Sequence, residues 1–362
     1  MRKIVIIGGN HHNTLGVIRS LGIRNDMIIE AIIITPTRRS FVLKSRYINH
    51  GIILPDINYL KRYLISTANE EKKIIISCSD EVSEFLDQNK NELQEYFILP
   101  GCLKQGQLSF LMNKLNILTK AKECGLTTPT HYNNLDLVTY PCIAKPKVSC
   151  RATKNDIVIC NEKEQLSSYF VQNADKIFIE EYIDKKEEFQ FIGASINYGE
   201  KVIIPGMSNI IRSVSNTNTG FLQYHRITEE YIETYNKTVS LIKSCKYTGL
   251  FSVEFIRSKN NIDYFLEINF RNDGNAYCVT ASGVNLPMLY IKACSGIDYK
   301  DEILNVKNIT VMPEFQNFKL VVQRKLNLFT WVRDIKKTDS FLVYNKEDKG
   351  PFLYFILYKL FK

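Results

Sequence analysis

YTGLFSVEFIRSKNNIDYFLEINFRNDGNAYCVTASG, residues 247–283, is the stretch on which the reading of the fold turns. Phe251–Ile256 and Tyr264–Asn269 alternate apolar and polar residues and are joined by a polar Ser-Lys-Asn-Asn turn, so the segment predicts two strands of a hairpin. A strict period of two places Phe265 and Ile268 on opposite faces and Glu267 and Asn269 on the same one. If the register sets Glu254 opposite them, two carboxylates and an amide oxygen converge. Hard oxygen donors of that kind suit Mg²⁺ carrying phosphates. Arg271 follows two residues on, within reach of a phosphate or carboxylate. The plain alternative is a half-solvated hairpin whose outward residues are acidic.

The 362 residues exceed one ordinary domain, and 45% hydrophobic with 23% charged residues describes a globular chain with a sizeable core. Lys and Arg number 47 against 38 Asp and Glu, a net charge of +9 that suits anionic ligands such as nucleotides. No basic run stands out as an interaction tail, which argues against nucleic acid as a partner. The nine cysteines form no Cys-x-x-Cys pair and histidine is too sparse for a zinc site, so reduced, cytoplasmic thiols are expected. Cys150 reads as a small structural side chain. No signal peptide and no apolar run long enough to span a bilayer is evident.

Lys3–Ile7, the turn Gly8-Gly9-Asn10, a helical pattern through Leu15, Ile18 and Leu21, and a strand from Met27 to Ile34 predict a βαβ unit with a parallel sheet. The turn is not the dinucleotide fingerprint Gly-x-Gly-x-x-Gly; it reads as a close backbone approach beside a cleft. His11 and His12 either line that cleft or are exposed loop residues. Lys73–Ser77 is a third strand, after which Ser79 or Asp80 caps a helix; Asp80 either only caps or also faces the ligand crevice.

Leu108–Gly125 predicts one amphipathic helix. Tyr140–Pro146 is a short strand carrying Lys145. The loop after it holds Lys147, Arg151 and Lys154, a basic lid over phosphates or a solvated turn. Strands follow over 176–183 and 184–192, and an antiparallel pair continues through 192–196 and 201–204. The polar stretch 208–226 reads as a loop and 229–246 as a helix. Beyond a helix at Leu286–Cys294, Lys319–Val322 and Ser340–Tyr344 read as short strands. The segment 351–362 reads as a packed C-terminal helix rather than one lying on a membrane.

With these pieces in order, residues 3–300 resemble the ATP-grasp superfamily, nearest to its carbamoyl-phosphate-synthase-like and D-aspartate-ligase-like carboxylate–amine ligases. VIIGGNHHNTLGVIRSLG is similar to the family's first strand and turn, MNKLN to its early lysine motif, YPCIAKP to the strand with the second phosphate-binding cation, IFIEEYIDKKEEF to the nucleotide linker, and VEF with LEINFR to its metal strands. The resemblance implies a fold of α/β and α+β parts. A parallel-sheet pre-ATP-grasp domain at 1–105 precedes an ATP-grasp domain of two subdomains at 106–305, with a lid at about 126–190 and a C-terminal appendage at 306–362. It implies ATP held by Lys114, Lys145, Lys147 and Arg151 at the phosphates, by Glu180, Glu181, Tyr182 and Ile183 at the base, and by Glu188 at the ribose. Glu254, Glu267 and Asn269 are the implied ligands of Mg²⁺, with Mn²⁺ as an alternative, and Arg271 the implied catalytic residue. One departure is that the loop KVSCRATKN has no glycine.

The implied reaction joins small carboxylate and amine substrates through an acyl-phosphate, and because dimers are common in the family a homodimer is one assembly the resemblance allows. The alternatives are an ATP-grasp enzyme using bicarbonate or a non-amine acceptor, and a catalytically silent nucleotide-binding protein.

Overall fold

Branched apolar runs with no polar alternation need a sheet covered on both faces, and the first hundred residues supply them. In the computed structural model, which describes residues 2–23, 27–146, 158–173, 177–213, 219–299 and 305–360, these runs form a parallel sheet. Its strands are β1 (Arg2–Gly9), β2 (Met27–Ile34), β3 (His50–Leu54), β4 (Lys73–Ser77) and β5 (Phe97–Ile98), in the order β3-β2-β1-β4-β5. The order reverses between β1 and β4, so the crevice at their carboxyl ends brings the turns after both strands together. Gly8 is required there: a Cβ would lie 2.5 Å from Thr14 Oγ1 and 2.7 Å from the Cys78 Cβ. The short β6 (Gly101–Cys102) leaves this sheet to pair with a later strand.

A four-stranded antiparallel sheet follows, built from β7 (His131–Tyr132), β8 (Cys142–Pro146), β9 (Val158–Cys160) and β10 (Ile177–Glu181) in the order β7-β10-β8-β9. Lys147 and Arg151 lie outside the described residues.

The largest sheet comprises β11 (Lys185–Ile196), β12 (Lys201–Ile203), β13 (Met207–Ser213), β14 (Gly220–His225), β15 (Tyr247–Ser258), β16 (Asp263–Asn269), β17 (Ile309–Met312) and β18 (Ser340–Phe341). It runs β16-β15-β11-β13-β14-β17-β18, with β12 on β11 and β6 on β15. Phe189, Phe191, Phe255 and Phe265 cover one face and pack with Leu241 and Ile242 of the helix Ile232–Ser244. Each such fully buried side chain contributes on the order of 2 kcal/mol.

Four expectations change. Glu254 pairs with Glu267 but Phe255 pairs with Phe265, so Leu266 is an extra residue in β16, a β-bulge. The bulge resets the alternation, and Phe265 and Ile268 pack on the same apolar cluster instead of on opposite faces. The helix expected over 108–125 is two, Gln107–Leu111 and Lys114–Glu123, because the Asn113 side chain accepts from the Leu115 and Asn116 amides and caps the second. The stretch 208–226 contains the paired strands β13 and β14 rather than one loop; its polar residues belong to a sheet whose other side is buried. Lys319–Val322 is the end of the helix Glu314–Val322, not a strand.

The segment from Ile309 onward is bound into the rest. Arg19, 1% exposed, donates through Nε to Asp348 at 2.9 Å and through its other nitrogens to the backbone oxygens of Leu342, Val343 and Asp348. The helix Gly350–Leu360 sets Phe355 4.2 Å from Phe315 and edge-on to Phe41 at 5.2 Å, ring centroid to centroid.

Candidate active site

The bulge in β16 builds the acidic end of the site. With Phe265 turned to the core, Leu266 lines the opposite, open side together with Glu254, and Glu267 sits across the ladder from Glu254. Asn269, 7% exposed, pairs with Ser252 and donates to Glu254 Oε1 at 3.2 Å, while its Oδ1 accepts from Arg271 Nη2 at 2.9 Å. A cleft opens here, lined by Glu188, Gln190, Ser213, Thr219, Glu254 and Leu266 among others. Glu188 faces it because β11 bulges between Lys185 and Glu187. The neighbouring Glu187 points elsewhere, held by the Tyr231 hydroxyl at 2.6 Å and Asn209 at 2.7 Å.

Two lysines approach from other elements. Lys114 begins the helix capped by Asn113, with its ammonium over the Phe178 ring at 5.5 Å. Burial pulls its pKa down, and Glu267, Glu180 and Glu254 oppose that pull through their charge. Lys145 of β8 lies opposite Phe178 of β10 and donates to Glu180 at 2.5 Å. Glu180 is 3% exposed, so its carboxylate points inward to that lysine. Glu181 ends β10, and Tyr182 and Ile183 begin the short link from the four-stranded sheet into the largest one. The Glu181 amide is already used, donating to Thr130 O at 3.0 Å.

The cationic end meets the first sheet. Arg271 donates to Asp80 through Nε and Nη2 at 3.1 and 3.3 Å and to Asp273 at 3.3 Å. Burial works against its charge, but Asp80 and Asp273 raise its pKa above even the usual guanidinium range. Ser79 caps the helix Asp80–Gln88 by accepting from the Val82 amide, which leaves Asp80 for Arg271. His12 is 3% exposed and shares a 3.2 Å hydrogen bond with Thr219. Burial first, then the adjacent His11, holds its imidazole well below its ordinary pKa and so neutral. The His11 residue is exposed at the surface, while desolvation of its ring, then the charge of Arg271, lowers its pKa to about 4.

A buried polar network fastens these parts and was not legible in advance. Asn13 donates to the backbone oxygens of Cys78 at 2.9 Å and Asn272 at 2.7 Å, and its own side-chain oxygen accepts from Asn272. Asp273 accepts from Ser252 at 3.2 Å and from the Asn275 amide at 2.8 Å, and Asn275 donates to Gln190 at 2.9 Å. The available signal was the density of amides and carboxylates in Asn269–Asn275, which exceeds what a simple turn after a strand needs.

Among the described residues no three His, Cys, Asp or Glu side chains cluster as a metal site. The donor set at the acidic end is two facing carboxylates and an amide oxygen that already accepts one bond. That set fits Mg²⁺, which keeps several waters and fills its shell with substrate phosphates. It fits zinc poorly.

No protein-family model matches the chain. It is similar to D-aspartate ligase from Enterococcus faecium (strain Aus0004), 24% identical over 332 residues that cover 78% of this chain and 74% of that protein. Among solved structures it is similar to N5-carboxyaminoimidazole synthetase from Staphylococcus aureus (TM-score 0.68, 15% identity, 90% of this chain and 86% of that one). It is similar as well to the biotin carboxylase domain of the Hydrogenobacter thermophilus 2-oxoglutarate carboxylase in complex with MgADP, ADP and bicarbonate (TM-score 0.66, 16% identity, 84% and 73%). The L-amino acid ligase from Bacillus licheniformis gives a TM-score of 0.65 at 18% identity, over 86% and 79% of the two chains.

Proposed function

We propose that this chain, whose fold is that of the ATP-grasp superfamily, is an ATP-dependent carboxylate–amine ligase that forms an amide bond on small-molecule substrates and releases ADP and phosphate. The observation that carries the reading is the convergence of Glu254, Glu267 and Asn269 with Lys114 and the Lys145–Glu180 pair, contributed by four separate stretches of chain. A structural hairpin tolerates outward acids but needs no half-buried cations beside them. The likeness to D-aspartate ligase supports the direction of the chemistry.

In this reading Lys114 and Lys145 neutralise the phosphates, with Lys147 and Arg151 adding charge from the adjoining segment. Glu180–Ile183 hold the base and Glu188 the ribose hydroxyls. Glu254, Glu267 and Asn269 hold Mg²⁺, which supplies charge neutralisation at the phosphate oxygens. The substrate carboxylate attacks the γ-phosphate, giving an acyl-phosphate and ADP, and the amine then displaces phosphate from the acyl carbon. Arg271 steadies the transferring phosphoryl group and would turn from Asp80 to do so. A homodimer is the assembly proposed with it.

The test is ADP release screened over amino acids crossed with small carboxylates. Hydroxylamine should trap a hydroxamate from the carboxylate before any amine is added. ADP release that needs bicarbonate and no amine would overturn the ligase reading, and ATP binding without turnover on any pair would favour a silent protein.

A further inference from the structure

The helices Glu314–Val322 and Leu328–Lys337 form a hairpin, in contact through Phe318 and Trp331 with ring centroids 5.0 Å apart. Apolar residues flank its turn on the solvent side: Val322 is 68% exposed, Leu328 51% and Phe329 84%, with Phe318 and Val332 behind them at 43% and 39%. A helix that serves only the core turns such residues inward. An exposed apolar patch of this kind on a soluble fold marks an interaction surface.

The charge around the patch says what it meets. Lys319, Arg324, Lys325, Arg333, Lys336 and Lys337 are all exposed. Residues 305–362 contain eleven Lys and Arg against five Asp and Glu. Three of those acids are buried and turned inward: Glu314 accepts from the amides of Leu342, Val343 and Tyr344, Asp334 from Arg212 at 2.5 Å, and Asp348 from Arg19 at 2.9 Å. The outer surface is therefore cationic. Lysine is depleted from protein–protein interfaces, whereas an apolar tip ringed by lysine and arginine is the pattern of a segment lying in an anionic membrane interface.

We propose that the hairpin 314–337 docks the protein onto an anionic lipid surface, with Val322, Leu328 and Phe329 entering the acyl boundary and the surrounding cations meeting phosphate headgroups. Its helices of 9 and 10 residues span about half a bilayer at most, so the hairpin lies on the membrane and does not cross it. Arg212, which also bonds Asn317 at 3.0 Å, fastens the docked element to β13, whose next residue Ser213 lines the cleft. The cleft wall is thereby tied to the docking surface.

The test is co-sedimentation of the full chain with vesicles of phosphatidylcholine alone and of phosphatidylcholine mixed with phosphatidylglycerol, at low and raised salt. Binding at least about tenfold stronger to the anionic vesicles, and weaker in salt, is expected. Phe329→Ser combined with Leu328→Ser should abolish it, and Arg324→Glu with Lys325→Glu should weaken it by at least about tenfold. All four positions are exposed, and unchanged thermal unfolding confirms that the variants fold. Trp331, the single tryptophan, is an internal reporter whose emission brominated lipid should quench. Absent binding, equal binding to neutral and anionic vesicles, or full binding by the double serine variant would each overturn the proposal. So would a dimer in solution that the serine variant dissolves.

Discussion

Arg271 and Asp80, 191 positions apart, meet in a two-point ion pair that joins the strand-end of the largest sheet to the first turn after β4. The Asp80 side chain is 34% exposed and that of Arg271 12%, so screening limits what the pair contributes. Asp80→Asn should lose about 1–2 kcal/mol in urea unfolding, because Arg271 keeps Asp273 as a partner. Arg271→Lys should lower the turnover number for ADP release by about a hundredfold or more with little change in the ATP KM, since a lysine cannot reproduce the planar fork. A rise in KM alone would remove Arg271 from the transferring phosphoryl group.

Glu267→Gln should reduce turnover by about a hundredfold and raise the Mg²⁺ concentration needed for half-maximal rate. Glu187→Gln is the matched control. Its carboxylate is turned to Tyr231 and Asn209, and ADP release should change by less than about twofold if the two sides of the sheet are as distinct as their partners.

Lys145→Met leaves Glu180 buried without its cation and takes a positive charge from the site. An increase of about tenfold or more in the ATP KM is expected, with a smaller fall in turnover. Isothermal titration with ADP separates this from a loss of folding.

The lowered imidazoles of His11 and His12, of which only His12 is buried, make stability depend on acid. His12 has its folded pKa well below 6.5 and His11 lowered to about 4, so below pH 6.5 the unfolded chain binds more protons than the folded one. Stability should therefore fall as pH drops from 6.5 toward 4. The slope approaches about 1.4 kcal/mol per pH unit for a fully buried histidine such as His12. His12→Gln should flatten the slope, as read from denaturant midpoints across that range.

Leu266 tests the bulge. Leu266→Ala keeps the extra residue and should cost no more than about 1 kcal/mol at this half-buried position. Deleting Leu266 makes Phe265 and Glu267 consecutive, on opposite faces as strict alternation requires, so both keep their partners in β15 without the bulge. That variant should keep a cooperative thermal transition while losing the Leu266 wall of the cleft.

The hairpin at 247–283 was legible because strand periodicity and turn composition agree there. The parallel sheet was legible because Ile and Val runs have few other uses. What escaped was whatever depended on a single residue out of phase. No alternation rule announces an extra Leu266, and Asn113 looks like any helical asparagine until its side chain is seen capping. β13 and β14 were hidden because their cleft side is polar by need, and polarity without a buried partner face reads as loop. Asp80 was half legible: the capping rule named two candidates, and only the fold showed that Ser79 caps and Asp80 meets Arg271.

The burial of Arg19 against Asp348 has a consequence for the order of events during synthesis. The guanidinium belongs to the first helix, His12–Gly22, in the part of the chain that leaves the ribosome earliest, yet its acceptors lie at 342–348. Until some three hundred further residues have been made, the first sheet carries a cation with nowhere dry to go. The amino-terminal third must wait in a hydrated, incompletely packed state and can close only when the late segment returns to it. Truncations before residue 348 therefore damage the start of the molecule as much as its end.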